Sequence, residues 1–267
     1  MTATIPPILL VGLGKMGGAM LAGWRERGLS PSVAVDPMRP PAPGPEVSVV
    51  ADAAAIPAGF SPSAVVLAVK PQNASETLPL HARHAGSAVV LSIMAGRTIT
   101  GIRALMGDGA AIVRAMPNTP AAVRQGITVA CAGPGVTAAQ RSLCDTLLAA
   151  IGAVAWVDDE GLLDPVTAVS GGGPAYVFLL AELLERAAIE QGIPADLARL
   201  MARQTVSGSG ALLAASSEDA AVLRRNVTSP GGTTERALAV MMADDAWPRA
   251  ISRAIAAATA RSRELAG

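Results

Sequence analysis

The first half of the chain alternates short apolar runs with segments of mixed polarity. A run such as residues 64–69 is apolar at every position, which is typical of a strand covered by helices on both faces of a parallel sheet. The mixed segments between the runs have the length of helices, so the pattern predicts successive strand–helix–strand units and a doubly wound, Rossmann-type α/β domain. The predicted strands are residues 8–11, 33–36, 47–50, 64–69, 88–93, 111–116, 127–132 and 154–157.

Beyond Asp158 the strand pattern stops and helical spacing takes over. Pro174 is placed to begin a helix that Gly192 ends, and Pro194 begins the next one. Further helices are predicted at residues 218–226, 233–242 and 247–265. These Ala-rich helices carry more apolar positions than a small domain buries, so we expect them to pair subunits into a homodimer or a higher homo-oligomer. The predicted domains are residues 1–158 and an all-helical domain of residues 159–267.

Composition narrows the class of protein. Apolar residues make up 51% of the chain, yet no apolar run approaches the roughly 20 residues of a membrane span. The N-terminus lacks a signal-peptide pattern, so we expect a soluble, cytoplasmic protein with no membrane partner. Zero net charge and 2% aromatic residues argue against binding of nucleic acid. Cys131 and Cys144 belong to no recognisable motif and are predicted to be packed thiols.

A glycine-rich motif follows the first predicted strand and begins a helix. It consists of Gly12-Leu13-Gly14-Lys15-Met16-Gly17. In this setting the first glycine permits the tight turn, the second lets a pyrophosphate approach the backbone, and the third lets helix and strand pack closely. The motif therefore predicts that a dinucleotide binds with its phosphates at the helix N-terminus.

Two residues near the end of the second strand point to different dinucleotides. Asp36 is placed to accept hydrogen bonds from the adenosine ribose diol and to repel a 2′-phosphate, which favours NADH. Arg39 is placed to clamp a 2′-phosphate, which favours NADPH. Asp36 before Pro37 is also typical of a simple turn. The choice between NADH and NADPH stays open.

Five further motifs stand at the ends of predicted strands or at the starts of predicted helices. They are Ala68-Val69-Lys70-Pro71-Gln72, Ser92-Ile93-Met94-Ala95-Gly96, Arg114-Ala115-Met116-Pro117-Asn118-Thr119-Pro120, Ser170-Gly171-Gly172-Gly173-Pro174-Ala175-Tyr176 and Val227-Thr228-Ser229-Pro230-Gly231-Gly232-Thr233-Thr234. Ligands of open α/β sheets bind at the carboxyl ends of strands. In order and spacing, from Gly12 to about Met242, these motifs resemble those of pyrroline-5-carboxylate reductases.

The resemblance implies the reduction of 1-pyrroline-5-carboxylate to L-proline by NAD(P)H, the last step of proline biosynthesis. It implies that Ala68, Val69, Lys70 and Pro71 line the cofactor. It also implies that Met94, Ala95 and Gly96 lie near the nicotinamide, and that the loop of residues 229–234 holds the substrate. The chain departs from the family at two positions. Members of the family often have Asn or Gln at the position of Lys15, and they often have Asn at the position of Ala53.

The loop before the predicted helix 233–242 suits a carboxylate. Backbone N–H groups converge at such a helix start, and Gly231 and Gly232 permit the backbone angles that an anion site requires. Ser229 and Thr233 belong to this candidate substrate site, and Thr234 is placed to hydrogen-bond the ring nitrogen and help deliver its proton. The alternative is an ordinary Pro-Gly-Gly turn. The glycines before Pro174 either close over the ligands or form an interdomain hinge.

The role of Lys70 and the function of the chain each have alternatives that the sequence leaves open. Lys70 is a candidate acid, an anchor for the nicotinamide ribose, which we favour, or a surface charge. His81 and His84 are expected on a solvated helix face away from the motifs, and no ligand set for a metal is present. Two alternatives to the proline reaction remain. One is reduction of another cyclic imine or of a 3-hydroxy or keto acid with Lys70 as acid; the other is an NAD(P)H-binding sensor without catalysis.

Overall fold

A computed structural model describes residues 5–38, 40–86 and 88–266 of the chain. The observed strands follow the predicted ones closely. The largest differences are in the fourth strand, which ends two residues earlier than predicted, and in the eighth, which begins two residues earlier than predicted. The strands are β1 Ile8–Val11, β2 Ser32–Val35, β3 Val47–Val50, β4 Ala64–Leu67, β5 Val89–Ser92, β6 Ala111–Met116, β7 Gly126–Ala132 and β8 Gly152–Val157.

The eight strands form one sheet in the order β3-β2-β1-β4-β5-β6-β7-β8. Neighbouring strands are parallel except β6 and β7, which pair antiparallel. The segment between those two strands is residues 117–125, which is shorter than the dozen or more residues that a parallel crossover needs. The first six strands have the order of a Rossmann fold, whose direction of winding reverses between β1 and β4. The predicted fold class is confirmed.

Ten α-helices accompany the sheet in the described part of the chain. They are α1 Lys15–Glu26, α2 Ala74–Thr77, α3 Ile99–Met106, α4 Ala138–Ala149, α5 Leu163–Val166, α6 Gly173–Glu190, α7 Ala195–Ala215, α8 Ala220–Asn226, α9 Thr233–Met241 and α10 Trp247–Ala266. Thr137 begins α4 with a capping box in which its side chain and that of Gln140 bond each other's backbone N–H groups. The predicted helices of the second half are present, and each predicted start and end lies within two residues of the observed one; the helix that Pro194 begins had no predicted end.

The core consists of two apolar clusters, one on each face of the sheet. Ile8 and Leu10 belong to one cluster, and Leu9 and Val11 belong to the other. Successive side chains of a strand point to opposite faces, so a strand with helices on both faces must be apolar at every position. This arrangement explains the uninterrupted apolar runs of the sequence.

The described chain divides into two compact units. One contains residues up to Gly171 together with residues from Ala258 onward, and the other contains residues 172–257. The first unit carries the sheet, and the second is entirely helical. The sequence-based boundary at Asp158 stays a prediction.

The last turns of α10 pack within the first unit. The Ser262 hydroxyl donates a hydrogen bond of 2.7 Å to a carboxylate oxygen of Asp164, and both residues are buried. Gly96, at φ +69°, lies against the backbone of Leu265, and a Cβ atom at this glycine would be 3.1 Å from the Leu265 carbonyl oxygen. The contact explains why this turn takes glycine.

Both cysteines are free and buried, as predicted. Burial raises the pKa of the Cys144 thiol to about 12. It also raises the pKa of Cys131, with a further contribution from the negative charge of Glu160. Their thiolates are therefore scarce at neutral pH, as expected of packing residues rather than nucleophiles.

Candidate active site

The glycine-rich loop joins β1 to α1 and is fixed by backbone contacts. Gly12 has φ +100°, and a Cβ atom there would lie 2.7 Å from the Ala68 carbonyl oxygen. A Cβ atom at Gly17 would lie 2.2 Å from the Gly12 carbonyl oxygen. Gly14 differs, because no atom lies within 4 Å of the position of its missing Cβ. Two glycines are thus required by the fold, whereas Gly14 leaves open space.

That open space lies at the N-terminus of α1. Gly14 is the N-cap residue, and no side chain caps the helix. The first N–H groups of an α-helix have no partner within the helix, so they are available to an anion. The geometry fits the pyrophosphate of a dinucleotide, with Gly14 as the residue that lets it approach.

Two cavities meet at this loop. Cavity A has a volume of about 440 Å³, and the predicted cofactor residues that line it are Gly12, Gly14, Asp36, Ala68, Val69 and Lys70. Cavity B has a volume of about 390 Å³, and the predicted residues that line it are Gly14, Lys15, Met16, Ala68, Val69, Lys70, Pro71, Met94 and Ala95. Both cavities lie at the carboxyl ends of β1 and β4, where the winding of the sheet reverses. Together they offer the elongated site that a dinucleotide needs.

Three of the described residues predicted to bind the cofactor, Leu13, Gly17 and Gly96, do not line either cavity. Gly17 is buried under the loop, and Gly96 contacts Leu265. Leu13 takes part through its backbone, whose N–H bonds Asp36. Arg39 lies outside the described residues, so its predicted role stays a prediction.

Asp36 bonds the backbone with both carboxylate oxygens. Oδ2 accepts a hydrogen bond of 2.9 Å from the Leu13 N–H, and Oδ1 accepts one of 2.9 Å from the Met38 N–H. The first hydrogen bond connects the glycine-rich loop to the end of β2. The second closes the turn that the sequence predicted from Asp36 before Pro37. Each oxygen keeps a further lone pair for a ligand, so the turn role and a ribose role are compatible.

The structure contradicts the predicted position of His81. It was expected on a solvated face away from the motifs, but its side chain is 1% exposed and lines cavity A. Residues 78–84 form a 3₁₀-helix with three residues per turn, which turns Leu78 and His81 inward together. Burial, followed by the positive charges of His84 and Arg83, lowers the pKa of His81 to about 4. The Nδ1 atom of this neutral ring has no hydrogen-bond partner among the described residues.

The Lys70–Pro71 turn is held by a residue that the sequence reasoning missed. Arg97 donates two hydrogen bonds to the Pro71 carbonyl oxygen, from Nε at 3.0 Å and from Nη2 at 2.7 Å. Arg97 directly follows Gly96, so these bonds connect the loop after β4 to the loop after β5. No periodicity marks such a residue, and its position directly after Gly96 is the one signal in the sequence that could have pointed to it.

The motif at the end of β6 contributes one polar side chain to cavity B and also contains a buried charged residue. Asn118 lines the cavity, and its Oδ1 accepts a hydrogen bond of 2.9 Å from the Ile127 N–H. Arg114 is buried, and its Nη1 lies 2.8 Å from Glu160 Oε1. The same oxygen accepts a hydrogen bond of 2.8 Å from the Ile99 N–H at the start of α3. This cluster fixes the strand that presents Asn118.

In the second unit, the loop of residues 229–234 leads into α9. Gly231 has φ +72°, and its N–H donates a hydrogen bond of 2.7 Å to Glu235 Oε2. The Gly232 N–H donates one of 3.0 Å to the Ser229 carbonyl oxygen. These two N–H groups are therefore bonded within the loop. The N–H groups of Thr233 and Thr234, in the first turn of α9, remain for an anion.

The described residues contain no group of three or more His, Cys, Asp or Glu side chains arranged to hold a metal ion.

Comparison with known proteins agrees with the motifs. Residues 160–265 match the family model for pyrroline-5-carboxylate reductase dimerisation. A pyrroline-5-carboxylate reductase of Pseudomonas aeruginosa is 36% identical over 98% of this chain and 97% of its own length.

Solved structures agree over the whole chain as well. The pyrroline-5-carboxylate reductase of Coxiella burnetii has a TM-score of 0.88 and 31% identity, covering 98% of this chain and 99% of that one. The Plasmodium falciparum pyrroline carboxylate reductase, solved with NADP bound, has a TM-score of 0.85 and 25% identity, covering 99% of each chain. The predicted resemblance, the enzyme class and the dependence on NAD(P)H are confirmed at the level of the family. The chain belongs to the pyrroline-5-carboxylate reductase family.

Proposed function

We propose that the chain reduces 1-pyrroline-5-carboxylate to L-proline with NAD(P)H. The observation that carries the proposal is the match to the Pseudomonas aeruginosa enzyme along 98% of this chain. The open Gly14 position at the start of α1 supports it, because that position suits the cofactor's pyrophosphate. The test is the loss of NADH or NADPH absorbance when 1-pyrroline-5-carboxylate is added to purified protein. Binding of cofactor without any turnover would contradict the proposal.

The cofactor fits the two cavities with its pyrophosphate at Gly14. We assign its adenosine half to cavity A, beside Asp36, and its nicotinamide half to cavity B, beside Met94 and Ala95. Lys15 is the first residue of α1, where a positive charge is unfavourable against the helix dipole unless an anion binds nearby. Lys15 therefore supports the same placement. Lys70 lines both cavities, and we propose it as an anchor for the nicotinamide ribose.

The substrate needs a site for its carboxylate and a donor for its ring nitrogen. Bound NAD(P)H supplies the hydride, which goes to the imine carbon, while the ring nitrogen takes up a proton. We assign the carboxylate to the N–H groups of Thr233 and Thr234 at the start of α9. The Thr234 hydroxyl is the proposed hydrogen-bond partner of the ring nitrogen. A cyclic imine can be protonated before hydride arrives, so positioning and one such partner are enough.

Replacing Thr234 by Ala is expected to lower kcat by about a hundredfold, the lower end of the range for removing one hydrogen bond that stabilises the transition state. The dissociation constant for NADH should stay within about twofold, because the loop is assigned to the substrate. Steady-state rates and fluorescence titration measure the two quantities. Thr234→Ser keeps a hydroxyl and should restore most of the rate. An equal loss of cofactor affinity in Thr234→Ala would contradict the assignment.

The second unit is proposed to form a homodimer. Its match to a dimerisation family indicates a homo-oligomer, and its α6 and α10 line an apolar groove. The exposed side chains along this groove include Val177, Leu179, Trp247 and Ile251. A second copy of the chain would remove this surface from water, which contributes about 25 cal/mol for each Å² of apolar area against the entropic cost of association.

Replacing Leu179 by Glu is expected to halve the mass of the particle measured by light scattering, because a charge would be buried without a partner at the dimer contact. Leu179 is 51% exposed in the single chain, so the variant chain should still fold. Val123→Glu places the same charge at a 69% exposed residue of the first unit and should leave the mass unchanged. An unchanged mass for Leu179→Glu would show that α6 is not the contact.

A cytoplasmic location remains part of the proposal. Among the described residues, one helical stretch, Glu160–Glu190, has the length and the mean hydropathy, 1.3, of a membrane span. One such stretch is weak support for a span, and this one falls within the residues that match the dimerisation family. Burial between subunits accounts for its apolar surface, so no membrane partner is needed.

A further inference from the structure

Cavity A carries two carboxylates at the end to which the adenosine ribose is assigned. Asp36 follows β2, and Asp52 follows β3, the strand next to it. Asp52 accepts hydrogen bonds from the N–H groups of Ala54 and Ala55 through the same oxygen, Oδ1, at 2.9 and 3.1 Å. Its Oδ2 has no hydrogen-bond donor among the described residues. The two acidic side chains are thus fixed by backbone bonds on neighbouring strand ends.

Little positive charge balances these carboxylates within the described lining of cavity A. Lys70 is the one Lys or Arg there, and it also lines cavity B, on the side away from β2 and β3. His81 is neutral at neutral pH, because burial lowers its pKa to about 4. Neither Asp36 nor Asp52 has a salt bridge to a described residue. Arg83 does not line the cavity, but its Nη2 donates a hydrogen bond of 3.1 Å to the carbonyl oxygen of Ala53, the residue after Asp52. The described lining at the Asp36–Asp52 end of cavity A therefore carries two carboxylates and no Lys or Arg.

We infer that Asp36 and Asp52 together select NADH over NADPH by repelling the 2′-phosphate. The inference rests on the proposed function for the placement of the adenosine half in cavity A. A 2′-phosphate carries about two negative charges at neutral pH, and like charges brought together at a binding site oppose binding strongly. The two ribose hydroxyls of NADH are instead donors, each with one hydrogen for a lone pair that a carboxylate keeps. Asp52 is the residue that the sequence motifs did not single out.

The test is calorimetric titration of the full chain with NAD⁺ and with NADP⁺, which needs no substrate. We expect NAD⁺ to bind at least about tenfold more tightly at neutral pH and low salt. Asp52→Asn removes the charge and keeps both backbone bonds, because a single oxygen of Asp52 accepts them. It should tighten NADP⁺ binding several-fold with little change for NAD⁺. Asp36→Asn removes the charge but keeps an acceptor for only one of its two backbone bonds, so the expected result there is a several-fold rise in NADP⁺ affinity relative to NAD⁺ affinity. Asp108→Asn removes a charge from an exposed turn outside both cavities and should change neither.

Several outcomes would overturn the inference. One is wild-type protein that binds NADP⁺ as tightly as NAD⁺. Another is a pair of Asn variants whose NADP⁺ affinity does not rise. A loss of NADP⁺ binding in Arg39→Ala, from a wild-type protein that prefers NADP⁺, would assign selection to Arg39 instead. Failure of the proposed function gives a different result, namely a preference for NAD⁺ in titration with no turnover of 1-pyrroline-5-carboxylate by either reduced cofactor.

Discussion

Gly14→Val is expected to weaken NADH binding by about a hundredfold, or about 2.7 kcal/mol, while the protein keeps its thermal midpoint. Gly14 has φ −66° and ψ −173°, which any residue adopts, and no protein atom lies within 4 Å of its missing Cβ. The valine side chain would fill the space assigned to the pyrophosphate, so it should displace the ligand and not the fold. Calorimetric titration and thermal unfolding measure the two effects.

Two other glycines serve as controls for this variant. Gly59 lies in an exposed turn with the same open surroundings, so Gly59→Val should change neither affinity nor thermal midpoint. Gly17→Ala should lower the thermal midpoint, because its Cβ would lie 2.2 Å from the Gly12 carbonyl oxygen. Unchanged NADH affinity in Gly14→Val would show that the pyrophosphate does not bind at the start of α1.

Removal of the Glu160 carboxylate is expected to cost about 3 kcal/mol of unfolding free energy, the lower end of the range for breaking a buried ion pair, because the Glu160 side chain is 27% exposed. In Glu160→Ala the Arg114 guanidinium, whose side chain is 5% exposed, would keep its charge without a partner. The Ile99 N–H would lose its acceptor as well. Urea unfolding of the wild type and the variant measures the difference.

An exposed ion pair provides the comparison. Arg261 and Glu264 are 66% and 62% exposed, so Glu264→Ala should change stability by less than about 1 kcal/mol. The double variant Arg114→Met with Glu160→Leu replaces the buried pair by apolar side chains and should recover much of the loss. A loss below about 1 kcal/mol in Glu160→Ala would mean that water reaches Arg114 in solution.

The fold was predictable from the sequence because its strands are buried on both faces. A run such as residues 64–69 is apolar throughout, and turn-forming residues separate one run from the next. The predicted strand ends therefore agree with the observed ones to within two residues. The cofactor loop was equally visible, since Gly12 and Gly17 are needed for backbone reasons that recur wherever a strand turns into a helix at a phosphate site.

Contacts between distant residues were not predictable in the same way. His81 is buried because a 3₁₀-helix turns it inward beside Leu78, whereas its neighbours in the sequence suggested a solvated face. The bond between Asp36 and the Leu13 N–H, and that between Arg97 and the Pro71 carbonyl, join segments that no periodicity connects. Asp52 went unnoticed as a ligand candidate for the same reason, because only the pairing of β2 with β3 brings it beside Asp36.

The return of α10 to the first unit affects the order in which that unit is made. Residues 258–266 pack within the first unit through the Ser262–Asp164 hydrogen bond and the contact between Leu265 and Gly96. The ribosome adds these residues only after it has made all of residues 172–257. Until the synthesis of α10 is complete, the Gly96 turn of the nascent first unit therefore lacks its contact with Leu265.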